Sequence, residues 1–208
     1  MVRSESTEVR LTSREPSKAD GPPRYRAGNV LDFLAFLEIA HPGVRAHLRG
    51  TLGAEVLEAI EGCARTGWIP IELDGQRVTE IVRYLGHDRA REAWRRFTSS
   101  SLIRSPAMRA ISDGIVRVFG RSMSTCLKSI PLMFEQSWRD CGRVELEHGR
   151  REATVRIVAM PPDLARYTAY AVLFEGVFLG LYDIMKIEPR LEYRPALASG
   201  RIHARFRW

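Results

Sequence analysis

From residue 141 onward the apolar positions fall into two alternating arrays separated by a helical one. Residues 143–147 and 153–158 alternate with period two, Val144 and Leu146 on one face and Glu145 and Glu147 on the other, and 148–152 join them as a turn. Such alternation predicts a half-buried antiparallel pair. Pro161 and Pro162 cannot extend a strand but suit a helix start, with Asp163 as N-cap. Leu164, Tyr167, Ala171, Phe174, Phe178 and Leu181 then recur at three- and four-residue steps, predicting one helix to about Ile184. A second hairpin follows: residues 190–193, a turn over 195–200, and a strand over 201–208. There Ile202, Ala204, Phe206 and Trp208 share one face, and Arg201, His203, Arg205 and Arg207 the other. The order is ββαββ, with an apolar sheet face for the helix to cover.

The preceding chain carries helical periodicity. Residues 1–27 are polar and proline-containing, which predicts a disordered tail ahead of a single domain over 28–208, helical over 28–140 and ββαββ over 141–208. Asn29 reads as the N-cap of a first helix over 30–39 that is apolar nearly all round, and 41–43 end it. A second helix over 44–63, with a break at 50–53, places Leu48, Leu52, Val56, Leu57 and Ile60 on one face. Residues 67–71 form a non-helical connector whose Trp68 is expected to plug the core. Val78, Ile81, Val82 and Leu85 make a stripe ended by Gly86, and Asp88 caps a helix bearing Ala90, Ala93, Trp94 and Phe97. A loop or kink is expected at 98–106, then helices over 107–119 and 122–139, the latter kinked or restarted at Pro131. The fold class is α+β: a helical N-terminal layer packed on a C-terminal antiparallel sheet.

A chain of 208 residues with 45% hydrophobic content buries a sizeable core. No apolar run reaches the roughly 18 residues that span a bilayer and no signal-peptide segment opens the chain, so a soluble, cytoplasmic protein is expected. Cys63, Cys126 and Cys141 are odd in number and widely spaced, which fits a reducing compartment rather than a disulfide framework or zinc ribbon. The net charge of +7 is spread at about +2, +2 and +3 over 1–27, 28–140 and 141–208, so no basic arm stands out. Residues 55–80 carry six acids against two Arg and 88–121 eight Arg against three acids; both readings stand, solvated helix faces or a basic face for an acidic partner.

This layout, with Trp68-Ile69-Pro70 and the closing Arg205-Phe206-Arg207-Trp208, resembles a paralogous family of cytoplasmic proteins of myxobacteria. More distantly it resembles the superfamily of the haem-based NO sensor (H-NOX), the 4-vinyl reductase domain and the TRAPP vesicle-tethering subunits. The resemblance implies a helical layer on a twisted antiparallel sheet, with haem, a small apolar ligand or a lipid chain between them, or a scaffold with no ligand. The haem sensors' Tyr-x-Ser-x-Arg motif is absent, no histidine stands out as an axial ligand, and no Cys follows Cys141. No haem, cofactor or metal is expected.

Catalytic motifs are absent: no Gly-x-Gly-x-x-Gly, Walker loop, Gly-x-Ser-x-Gly or His-Glu-x-x-His. His41, His47, His87, His148 and His203 are scattered and read as surface or capping residues, so no enzyme and no catalytic residue is expected. Two groups invite a functional reading. Trp94, Phe119, Met123, Cys126, Phe134, Trp138, Tyr167, Phe174 and Phe178, with Met133, form a soft aromatic set that makes either a filled core or a pocket for an apolar ligand or acyl chain. Arg194, Arg201, His203, Arg205 and Arg207 make the outer face of the last hairpin a candidate partner surface for another protein or a second copy in a homodimer. Gly176 and Gly180 inside the long helix imply close approach of a strand, a ligand or a partner helix. The leading expectation is a regulatory or scaffold protein of bacterial signalling; the alternative is a sensory domain for a small apolar ligand or lipid. Nucleic acid is disfavoured as a partner.

Overall fold

The structure is a computed structural model that describes residues 9–12, 21–104 and 122–208. Its main sheet has five antiparallel strands: β1 (Val9–Thr12), β5 (Arg143–His148), β6 (Glu152–Val158), β8 (Arg201–Arg207) and β7 (Leu191–Ala196), in that spatial order. The predicted alternation fixes the register. Val144, Ile157 and Ile202 align in one row and Leu146, Val155 and Ala204 in the next, and all six are buried. Helix α9 (Tyr170–Met185) lies on that face, where the Phe178 and Tyr182 rings meet Phe206 at 5.4 and 5.8 Å. The fold is α+β, with ββαββ at its C-terminal end.

Above α9 the helical layer holds α1 (Ala27–Ala40), α2 (Val44–Leu52), α3 (Ala54–Glu61), α4 (Ile71–Leu85) and α5 (His87–Arg104). Two short helices, α6 (Met123–Lys128) and α7 (Ile130–Ser137), lead back to the sheet. Gly53, at φ 85°, makes the expected break between α2 and α3. Ser122 caps α6 by accepting from the Thr125 backbone N–H, and the chain restarts as α7 after Ser129. The expected helix over 107–119 lies outside the described residues.

Several expectations are corrected. The stretch 1–27 is not a tail throughout: Val9–Thr12 is the edge strand beside β5, and β2 (Arg24–Arg26) is the middle strand of a second sheet between β3 (Trp68–Pro70) and β4 (Trp138–Arg139). Short strands draw on a neighbour's ladder rather than on a core of their own, so the polarity of the whole stretch conceals them. Trp68 does not plug the core; it is half-buried between the guanidinium groups of Arg26 at 4.2 Å and Arg139 at 5.7 Å, while Ile69 turns inward.

The helix starts also move. Helix α1 begins at Ala27, so Asn29 lies within it and donates to the Ser137 hydroxyl at 3.0 Å. Asp88 sits in the first turn of α5 and pairs with Arg91 at 3.0 Å. Where a loop or kink is expected, α5 stays helical to Arg104, with the Ser99 and Ser100 hydroxyls bonded back to the carbonyls of Arg96 and Phe97; Pro106 lies outside the described residues. The single helix expected from Asp163 divides into α8 (Pro162–Ala165) and α9, and Asp163 makes no cap bond. Between them Tyr167 turns toward α4, its ring over Gly75 and its hydroxyl donating to the Glu72 carbonyl at 3.2 Å.

Candidate functional site

Helices α1, α5, α7 and α9 leave a space above the sheet. A cavity of about 150 Å³ results. Its floor is Leu173, Phe174, Val177, Phe178 and Leu181 of α9, with Ile157 of β6. Trp94, Phe97 and Thr98 of α5 and Phe33 of α1 form one wall. Ile130, Met133 and Phe134 of α7 and Trp138 of β4 form the other. The walls hold themselves by ring contacts: Phe33 stacks on Trp94 at 5.0 Å and Trp138 on Phe174 at 5.3 Å. Tyr25 of β2 closes against Trp138 at 4.2 Å.

Polar groups gather on the α1–α4 side. Asn29 and Ser137 are joined across the rim, and Asp32 beside them pairs with Arg65. Deeper, Arg77 of α4 lines the cavity at 1% exposure. Its Nε and Nη2 donate to one oxygen of fully buried Asp74 at 2.9 and 2.6 Å, and the other oxygen accepts from the Tyr170 hydroxyl at 2.7 Å. Burial and then the Asp74 charge raise the Tyr170 phenol well above its ordinary value, and the same two causes raise Tyr25. Both phenols therefore stay protonated. Nη1 of Arg77 is buried and has no hydrogen-bond partner among the described residues, while the guanidinium lies over the Phe33 ring at 5.9 Å.

Of the predicted pocket residues, Trp94, Phe134, Trp138, Phe174 and Phe178 line the cavity, with Met133. Met123 is buried but off the cavity wall, and Tyr167 is engaged with α4. Cys126 is also off the wall, and burial pushes its thiol up to about 11, which leaves it the unreactive neutral form at neutral pH. Phe119 lies outside the described residues. The sequence reading missed Tyr25, Asn29, Phe33 and Arg77. A signal for Arg77 existed: Asp74 and Arg77 prolong the apolar stripe of Val78, Ile81 and Val82 at helical spacing, so two charges fall where the core should be.

The outer-face residues share the sheet surface away from α9, as predicted, but most of the positive charge there is matched. Arg205 pairs with Glu152 at 2.6 Å, Arg207 with Glu192 at 2.7 Å, and Arg156 with Glu147 at 2.6 Å. Burial and then the Arg156 charge lower the His203 imidazole, so it stays neutral at neutral pH. Arg194 and Arg201 are exposed and make no ion pair among the described residues. No group of three or more His, Cys, Asp or Glu among the described residues is placed to hold a metal. Nor is any described helix long and apolar enough to cross a membrane.

No protein-family model and no curated protein matches the chain. Among solved structures, a haem protein studied for modulating haem redox potential through protein-induced porphyrin distortion aligns at a TM-score of 0.54 and 14% identity, over 88% of this chain and 99% of that one. At that identity the likeness is one of fold. The residues here do not fit a haem. Among the described residues no His or Cys lines the cavity, the Tyr25 phenol is held protonated, and the volume of about 150 Å³ lies below the roughly 300–1,000 Å³ of ordinary ligand sites.

Proposed function

We propose that the chain is a non-enzymatic regulatory domain that takes a small apolar molecule in the cavity between its helices and its sheet. Its occupancy is read by another protein or by a second copy of the chain. The observation that carries this reading is the cavity itself: about 150 Å³, walled mainly by aromatic and aliphatic side chains from α1, α5, α7, α9 and the sheet. A mainly apolar cavity of this size matches a benzene-sized guest, and its polar groups are confined to the α1–α4 side. A fold shared with a haem protein agrees with ligand-holding use of the interior, though with a much smaller guest. The exposed cations Arg194 and Arg201 on the sheet's outer face offer the contact for a partner.

A guest that binds only the folded chain raises its melting temperature by mass action. Ethylbenzene at saturating concentration should therefore raise the wild-type melting temperature. It should not raise that of Val177→Phe, which puts a ring into the cavity from α9. Native mass spectrometry of freshly purified protein then identifies any resident guest. If ethylbenzene shifts neither protein, the cavity is not a site, and a scaffold that acts through surface contacts alone is left.

A further inference from the structure

The unpartnered nitrogen of Arg77 gives the cavity a chemical preference, and this inference rests on the cavity being a ligand site. A guanidinium has five N–H donors in a fixed plane. With Nε and Nη2 both turned to Asp74, planarity sends Nη1 away from that carboxylate. Nη1 is buried without a hydrogen-bond partner among the described residues, on a residue that lines the cavity beside the Phe33 ring. A buried donor left unmet is costly, and an acceptor on the guest relieves it.

The charge around Nη1 selects the kind of acceptor. Asp74 already neutralises Arg77 in a pair that is 0% and 1% exposed, and Asp32 is a further carboxylate on the cavity wall. No second Lys or Arg lines the cavity among the described residues. A carboxylate guest would bring an uncompensated charge into a mainly apolar space beside the Asp32 and Asp74 carboxylates, which is far more costly than an unmet dipole. We infer that the cavity takes a neutral molecule with a ring-sized apolar body and one carbonyl, ether or hydroxyl oxygen, bound by Arg77 Nη1.

Three probes of similar shape test this on the full chain: acetophenone, ethylbenzene and benzoate, followed by titration calorimetry and by the Arg77 side-chain ¹⁵N resonances. Acetophenone should bind about tenfold or more tighter than either of the others, the usual return on a hydrogen bond to a charged group. Only acetophenone should shift the Arg77 signals. In the double variant Asp74→Asn/Arg77→Met, which removes both charges and keeps an acceptor for Tyr170, the preference over ethylbenzene should fall to about one. Equal binding of acetophenone and ethylbenzene to wild type would overturn the inference and leave the cavity reading standing, with water meeting Nη1. Tightest binding by benzoate would overturn the neutral acceptor. Failure of all three to bind would overturn the cavity reading itself.

Discussion

Gly176 of α9 lies so close to α5 that a Cβ there would stand 2.5 Å from the Arg91 carbonyl oxygen and 2.7 Å from the Trp94 Cβ. Gly180, one turn on, would meet Arg95 and Thr98 in the same way. The two glycines thus admit a neighbouring helix, not a strand, and the pair is locked by Arg95 with Asp183, both bonds at 2.7 Å. Alanine gains about 1 kcal/mol of helix propensity over glycine. Backbone overlap outweighs it, so Gly176→Ala should lower stability by about 1–3 kcal/mol in denaturant titration. A stabilised variant would mean that α5 and α9 are further apart.

The buried set Asp74, Arg77 and Tyr170 predicts an asymmetry between breaking and replacing an ion pair. Arg77→Met alone strands the Asp74 charge and should cost about 3–5 kcal/mol. Tyr170→Phe loses one bond to a carboxylate, about 1.5–3 kcal/mol. Asp74→Leu combined with Arg77→Met should cost much less than Arg77→Met alone, because no charge is then left buried. Additive losses in the double variant would contradict the buried pair.

His148 sits at the inner end of β5, with its ring 5.7 Å from that of Trp208 and its Nε2 unpartnered among the described residues. Burial, then the charge of Lys128, lowers its imidazole below the ordinary value, and His41 and His203 shift the same way. Below about pH 6.5 the unfolded chain therefore binds more protons than the folded one, and stability falls as pH drops from that value toward the folded one. The wild type should melt lower at about pH 5.5 than at 7.5, and His148→Phe should narrow the difference. An unchanged difference would place His148 in solvent.

The two N-terminal strands separate truncations that composition alone would treat alike. Among the described residues, a chain starting at Gly21 loses the edge strand beside β5. A chain starting at Gly28 also loses the middle strand of the small sheet and the Tyr25 ring against Trp138. The first should fold with a modest loss of melting temperature, the second with a loss of several degrees or into inclusion bodies. Equal melting of both would mean that Arg24–Arg26 contributes nothing.

What the sequence made legible was whatever repeats with a strong period. The alternation of Ile202, Ala204 and Phe206 placed the inner face of β8, and Phe174 and Phe178 placed the covering helix and much of the cavity floor. The rest depends on non-local partners. Val9–Thr12 is a strand only because β5 offers an open edge. The turn between α8 and α9 exists because Tyr167 is drawn to Gly75, and neither residue announces the other. Asp74 and Arg77 are two charges within a charged stretch, and only their helical phase, set against the stripe of Val78, Ile81 and Val82, shows that they lie inside. The outer face looked basic because its acids lie on different strands, and cross-strand pairing brings Glu152 to Arg205.

The most direct measurement of the central claim is the set of intermolecular nuclear Overhauser contacts between ethylbenzene and the methyl-labelled protein. Contacts to the methyls of Leu173, Val177, Leu181 and Ile130, with none to Leu57 or Ile60 in the outer helical layer, are the predicted result. Contacts confined to other methyls, or none at saturating ethylbenzene, would contradict a ligand site between the helices and the sheet.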